Sequence, residues 1–393
     1  MPKIAIVAGE ASGDLLGCHL IRALKAKRSD LSFVGIAGPK MISEGAQSLF
    51  PLEKLSVRGY VEVLKHLIGL LKLRKNLFAQ LITEKPAIFI GIDAPDFNFW
   101  LERKFKKKGI AAIHYVSPSI WAWRGGRMGK IKRAVSHVLA LFPFEPALYE
   151  AANVPVTYVG HPLADELPLE PDQKSARETL KIKQDKLVIA MLPGSRQSEV
   201  KQHAALFVKT AYLLTQKFSS PQFPNTHFSG IQFLVPLITR ETRDIFQHAI
   251  HQSYTEFIDV DLDLQLLFGH AHDAMEAADV VIVASGTATL EAALLKRPMV
   301  ITYRMPALSW WILKRMRYQP FVGLPNILAG KFLVPELLQD EATPQNLCDA
   351  TQRLLCDSSY IAEIKQEFTR IHLSLKQNAA EKAASVILSY LQH

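Results

Sequence analysis

Leu187-Val188-Ile189-Ala190-Met191-Leu192-Pro193-Gly194-Ser195-Arg196 is the stretch that decides the fold. An unbroken apolar run ended by a Pro-Gly turn predicts a buried strand. From Gln197 to Gln216, Val200, Ala204, Phe207, Val208, Ala211 and Leu214 recur at helical spacing. Strand, tight turn and helix in that order aim free backbone N–H groups outward, where the helix dipole adds partial positive charge. Arg196 adds a full charge whose fork fits phosphate oxygens. Gly194, Ser195 and Arg196 are therefore candidate anion-binding residues. Taken alone, the stretch is explained as well by a turn with a surface arginine.

The same alternation runs through the chain. First-half strands are expected at Ile4–Ala8, Phe33–Ile36, Ile88–Ile92, Ala111–Val116, Val138–Leu141 and Val156–Val159. After a polar, proline-containing stretch from Gly160 to Lys174, strands resume at Leu187–Leu192, Ile231–Val235, Val280–Val283 and Met299–Thr302. Helical patterns lie between most of them. This predicts an α/β fold of two doubly wound, Rossmann-like domains, residues 1–165 and 166–349, facing a ligand cleft. Mostly helical sequence follows, and residues 218–230 read as a surface insertion.

The bulk composition excludes several classes. With 393 residues, 49% hydrophobic and 21% charged, the chain reads as globular rather than disordered. A net charge of +9 favours an acidic partner: nucleic acid, a phosphorylated small molecule or an anionic membrane surface. Cys18, Cys348 and Cys356 have no metal-ligand spacing and fit a reducing cytoplasm. The N-terminal apolar run stops at Glu10, too early for a signal peptide. No run is long enough for a transmembrane helix.

Several loops carry candidate chemistry. Gly9-Glu10-Ala11-Ser12-Gly13-Asp14 follows the first strand, with Ser12 a candidate helix cap and Asp14 in the first turn. Its acids disfavour a pyrophosphate and favour a hydroxyl-bearing acceptor; a capped turn is the plainer alternative. In Gly91-Ile92-Asp93-Ala94-Pro95-Asp96-Phe97-Asn98, Asp93 ends an apolar strand, where burial makes a carboxylate a better base. Asp96 suits a helix start. Ser117, Trp121 and Trp123 suit a sugar or an amphipathic ligand, with core packing of at least one Trp the plainer reading, and Arg124 opens a basic run that fits solvated surface or an anionic-lipid or phosphate contact. His161 fits a linker residue as well as a catalytic one. Ser285-Gly286-Thr287 forms a second small-residue helix start, with Glu291 placed to reach a ribose diol. Two such loops argue for a diphosphate. Neither is followed by a Walker lysine, and no carboxylate cluster suits Mg²⁺.

Residues 57–77 are unusually apolar. Val57, Val61, Leu64, Ile68 and Leu71 form one stripe, and Val63, Leu67, Leu70, Leu73 and Leu77 a second. One stripe must face the core. The second, flanked by Lys72, Arg74 and Lys75, suits a membrane surface or an acyl chain, as it suits a helix buried on two sides.

The ordered set AGEASGD (8–14), GIDAPDFN (91–98), YVSPSIWAWR (115–124), FPFE (142–145), VGHP (159–162), LPGSR (192–196), ASGTATLE (284–291) and LPNILAG (324–330) resembles bacterial lipid A disaccharide synthases along almost the whole chain. The resemblance implies a GT-B glycosyltransferase whose C-terminal helices, about 350–393, pack back on the N-terminal domain. It implies inverting transfer from UDP-2,3-diacylglucosamine to the 6-hydroxyl of 2,3-diacylglucosamine 1-phosphate, giving a β(1→6) disaccharide phosphate and UDP, with no metal or cofactor. On that pattern Asp93 is the general base and Arg196 stabilises the leaving diphosphate. Gly194, Ser195, Ser285, Gly286, Thr287, Glu291 and Asn326 bind the donor. Glu10, Ser12, Asp14, Asp96 and Asn98 lie on the acceptor side, and Val63, Leu67, Leu70 and Leu73 meet acyl chains or membrane. The implied setting is cytoplasmic, at inner-membrane lipids and without nucleic acid; a homodimer that exchanges the C-terminal helices is left open. Other GT-B chemistry, namely UDP-sugar epimerisation or undecaprenyl-linked N-acetylglucosamine transfer, is the alternative enzyme class. A basic nucleic-acid binder is the non-enzymatic one, without a recognised binding module in the sequence.

Overall fold

The computed structural model describes residues 2–55, 60–123, 125–218, 228–306, 310, 311 and 319–391. The chain divides into two units, Met1–Asp165 with Ser374–His393, and Glu166–Leu373.

In the first unit the strands are β1 (Lys3–Ala8), β2 (Ser32–Ile36), β3 (Ala46–Ser48), β4 (Ile88–Ile92), β5 (Ala111–Tyr115), β6 (His137–Ala140) and β7 (Val156–Tyr158). They form one parallel sheet in the order β3-β2-β1-β4-β5-β6-β7. Every residue of β4 is buried, because helices cover both faces of the sheet's centre. Strand order reverses between β1 and β4. Loops leaving adjacent strands on opposite sides open a crevice at such a point. The loops there are those that begin at Gly9 and Asp93.

The second unit repeats the plan with β8 (Lys186–Leu192), β9 (Gly230–Leu237), β10 (Leu264–Phe268), β11 (Val280–Ala284), β12 (Met299–Tyr303) and β13 (Glu336–Leu338). Their order is β10-β9-β8-β11-β12-β13, again parallel. The reversal falls between β8 and β11, whose loops carry Gly194–Arg196 and Ser285–Thr287. The doubly wound fold expected from the alternation is thus present in both units. Strands β3, β10 and β13 were not anticipated.

The C-terminal helices divide later than expected. Pro344–Cys356 and most of Ser358–Leu375 stay with the second unit, where Leu347, Leu354, Ile364, Phe368 and Ile371 are buried. His372 also lies against Lys296 there. Only the chain from Ser374 joins the first unit. Its helix Ala379–Ser389 puts Ala379, Ala383, Ala384 and Ile387 into that core. Asp165 caps this helix from afar, accepting from the N–H groups of Asn378 at 2.9 Å and Ala379 at 2.6 Å. The Tyr158 hydroxyl donates to the Ser374 carbonyl at 2.6 Å, and the His161 N–H to the Leu375 carbonyl at 2.9 Å.

Replacing Asp165 by Ala strands two helix-start donors. The expected cost is about 1–3 kcal/mol, read from urea unfolding, with hydrogen-exchange protection lost first in Ala379–Ser389.

Candidate functional site

After β4 the chain turns through Asp93 and Ala94, both left-handed at φ 52° and 43°. Each such non-glycine residue costs roughly 1–2 kcal/mol, so the surroundings must hold the elbow. The Asp93 N–H donates to the Tyr115 carbonyl at 2.9 Å. Asn98 Nδ2 donates to the Asp93 carbonyl at 2.8 Å and lies 3.4 Å from the carbonyls of Val7 and Ile92. On the other side a Cβ on Gly9 would lie 2.3 Å from the Ala94 Cβ, so the loop after β1 reaches the elbow only because Gly9 has none. Glu10 thereby comes close enough for its charge to act on Asp93. Burial pushes the Asp93 carboxyl above the usual carboxylate range and Glu10 adds to this, while the Ala94 N–H and His114 oppose it. The result is a partly desolvated carboxylate at the switch point.

Behind it lies a polar cluster that sequence reasoning missed. Asn98, Glu102 and His114 are fully buried. His114 Nδ1 lies 2.6 Å from Glu102 Oε1. Glu102 Oε2, His114 Nε2 and Asn98 Oδ1 have no hydrogen-bond partner among the described residues. The signal was present: Asn98, Leu101, Glu102 and Phe105 share the inward face of the helix Pro95–Lys106, and His114 interrupts an apolar strand.

Other acceptor-side candidates separate. Ser12 is not the helix cap; the helix Ala11–Lys27 begins one residue before it, and Glu10 takes the cap position. Asp14 is buried and accepts from the N–H groups of Lys40 and Met41, each at 3.0 Å, so both oxygens serve the start of the next helix. Asn98 faces the sheet, not solvent. Asp96 is exposed and pairs with Arg127 at 3.0 Å. Trp121 and His161 are supporting residues. Trp121 Nε1 donates to the buried Glu145 at 3.2 Å, and His161 packs against Phe142, its imidazole pushed down to about 4 by burial. Trp123 and Arg124 lie outside the residues whose side chains are described, as does most of 218–230.

In the second unit Gly194 has φ 124°, and a Cβ there would strike Glu199. The N–H groups expected to be free are occupied. Glu199 Oε2 accepts from Ser195 N–H at 3.0 Å and Arg196 N–H at 3.2 Å, and its Oε1 from Arg196 Nη1 at 2.9 Å. An acid one helical turn on fills the nest that an anionic ligand would use. The buried His203 supports the loop, with Nδ1 2.8 Å from the Glu199 carbonyl and 3.1 Å from that of Pro193; Nε2 accepts from Arg304 N–H at 3.0 Å. This pattern assigns the proton to Nδ1, and burial lowers the ring's pKa. Across the switch point Gly286 and Thr287 are exposed. Glu291 lies 3.7 Å from His272 Nδ1 and raises that imidazole's pKa.

Asn326 is a staple. It donates to the Val334 carbonyl and Glu336 Oε1 and accepts from the N–H groups of Leu333 and Val334, all at 2.9 Å. Its amide has no donor left for a ligand. In the apolar helix Tyr60–Thr83 three described side chains lie opposite to expectation. Leu77, which ends the stripe assigned to membrane, is fully buried, while Ile68 and Leu71 of the other stripe face outward. Leu70 and Leu73 are half-buried. Periodicity locates two apolar faces without saying which meets the sheet. Val57 and the side chains of Val61, Val63, Leu64 and Leu67 lie outside the described residues. Among those described, no group of three or more His, Cys, Asp or Glu is placed to hold a metal, and no helix is long and apolar enough to cross a membrane.

Comparison with solved structures supports the fold alone. UDP-GlcNAc 2-epimerase from Neisseria meningitidis bound to UDP-GlcNAc matches with TM-score 0.61 at 13% identity over 99% of both chains. A glycotransferase of kitacinnamycin matches with TM-score 0.62 at 14% identity over 99% of both. These are GT-B-like neighbours. Sequence relatives are far closer. Lipid-A-disaccharide synthase of Methylobacillus flagellatus is 63% identical over the full length of both chains. That of Azoarcus sp. is 56% identical over 99% of this chain and 96% of its own, and that of Dechloromonas aromatica 54% over 99% and 98%. The family model described as lipid-A-disaccharide synthetase matches residues 4–390. On this evidence the chain belongs to the lipid-A-disaccharide synthetase family.

Proposed function

We propose that this chain makes the lipid A disaccharide by an inverting, metal-independent transfer in which Asp93 is the base and the loops at 194–196 and 285–287 hold the departing diphosphate. Lipid A disaccharide synthesis from sugar-nucleotide and lipid-linked substrates follows from family membership. The observation that carries the finer reading is the Asp93 elbow, a strained and desolvated carboxylate at a topological switch point.

The chemistry assigned to it is direct. The Asp93 carboxylate removes the proton of the acceptor 6-hydroxyl. The freed oxygen pair bonds to the anomeric carbon from the face opposite the diphosphate. The bond to the diphosphate oxygen breaks, and UDP leaves with its electron pair. Negative charge grows on that oxygen, where Ser195 N–H, Arg196 N–H and the Arg196 guanidinium supply preorganised positive charge once Glu199 releases them. Glu291 suits the ribose diol. The acyl chains of both substrates bring the reaction to the inner leaflet; the outward Ile68 and Leu71, beside the exposed Lys72 and Lys75, support peripheral contact there.

Incubation of the purified chain with labelled UDP-2,3-diacylglucosamine and the acylated acceptor phosphate should yield a disaccharide phosphate; formation of none defeats the reading. Asp93→Asn should lower kcat by about 10²–10⁴ with UDP affinity unchanged, and normal turnover would exclude Asp93 as base. The base works ionised, so its raised pKa places the acid limb of kcat/KM above that of an ordinary carboxylate. His114→Gln removes a group that lowers the Asp93 pKa, and should move that limb further up. Arg196→Ala deletes charge-assisted bonds worth about 1.5–3 kcal/mol each; UDP affinity measured by calorimetry should fall at least about tenfold, while acceptor KM stays level.

A further inference from the structure

Immediately after the Asp93 elbow the surface of the first unit folds into a groove of about 300 Å³. Leu55, Leu70, Leu71, Pro95 and Phe97 give it apolar walls, and Arg74 and Asp96 complete the lining. Leu71 remains 39% exposed, so the apolar surface is open to a ligand.

Arg74 is the unusual member. Its guanidinium lies over the Trp100 ring, 4.7 Å from the centroid, and among the described residues donates from Nη1 to the Asp96 backbone carbonyl at 3.2 Å. Its Nε is buried without a partner among the described residues. No described carboxylate pairs with it; the Asp96 carboxylate pairs with Arg127 instead. Lys104 adds a second cation to the same indole at 5.3 Å. Two cations thus share one indole at the side of an apolar trough, while the neighbouring carboxylate is taken by a third. A partly desolvated guanidinium without a counter-charge is unfavourable, and nothing in the core uses its fork. Its complement is an oxyanion attached to a hydrocarbon chain: a planar donor fork for the phosphate and a greasy wall for the tail.

We propose that this groove binds one acyl chain of the phosphorylated acceptor while Arg74 holds its phosphate, making Arg74 a specificity residue for phosphorylated over unphosphorylated acceptors. The assignment rests on the reading of Asp93 as the acceptor's base, because Ala94, Pro95, Asp96 and Phe97 line the groove directly after it.

The probe is dodecyl phosphate below its micelle concentration, titrated calorimetrically into the full chain, with dodecanol as the uncharged control. The unmodified chain should prefer the phosphate by about tenfold or more, the loss of one charge-assisted contact being worth at least that factor. Arg74→Gln should erase the preference, and Leu71→Asp, at an exposed position that tolerates change, should weaken both ligands. In the transfer assay Arg74→Gln should raise acceptor KM by a similar factor and leave donor KM level. Undiminished binding of dodecyl phosphate by Arg74→Gln overturns the proposal. So does an unchanged acceptor KM combined with lost sedimentation on phosphatidylglycerol vesicles, which would give the groove to bulk membrane lipid. If the chain makes no disaccharide at all, the reading of Asp93 fails, and the titration still decides the groove.

Discussion

A single side-chain amide holds together the elbow at the first unit's switch point. Asn98 reaches from the helix after β4 to the carbonyls that end β1 and β4 and to that of Asp93 itself. Two consecutive left-handed residues do not persist without such a tie. The elbow sets where the carboxylate emerges, how far it is shielded from water and how near Glu10 lies. Gly9 completes the arrangement from the opposite loop, since any side chain there would push the elbow away. The Asp93 carboxylate is therefore positioned chiefly by backbone geometry, with the Ala94 N–H as its neighbour in the elbow.

The sequence made the central strands legible because a strand covered on both faces has to be apolar throughout. The same logic hid β3, β10 and β13. Each is an edge strand, contacts one neighbour and is short or mixed in polarity: Ala-Gln-Ser, Leu-Gln-Leu-Leu-Phe and Glu-Leu-Leu. The loops after β1, β8 and β11 were legible for a different reason, the glycine and hydroxyl residues clustered at a strand end, and the loop after β4 by an aspartate that closes an apolar strand. What was not legible was how polar side chains would be spent. Asp14 and Asn326 look like ligand-binding residues in the sequence and are consumed by backbone groups. Glu102, His114 and Glu199 look like ordinary helix and strand residues and turn out to stand beside the candidate chemistry. Composition cannot reveal this, because a carboxylate's role depends on which N–H groups the fold brings to it.

The two units share a doubly wound plan and differ in the charge at their switch points. The first places carboxylates, Glu10 and Asp93, at its switch point; the second places helix starts and Arg196 at the equivalent position. On the reading proposed above, a hydroxyl that must lose a proton and a diphosphate that must gain stabilisation call for opposite electrostatics, and the two sheets offer one of each.

Glu199 gives the second site a built-in competitor. A carboxylate one helical turn away acts on its own loop at an effective concentration on the order of millimolar or higher. A free monovalent anion at lower concentration loses that contest. A nucleoside diphosphate held as proposed above would engage several oxygens and a ribose at once, which is what displacing a tethered acid requires. Whatever anion the loop takes, its entry is thus governed by one acidic side chain as well as by the shape of the loop.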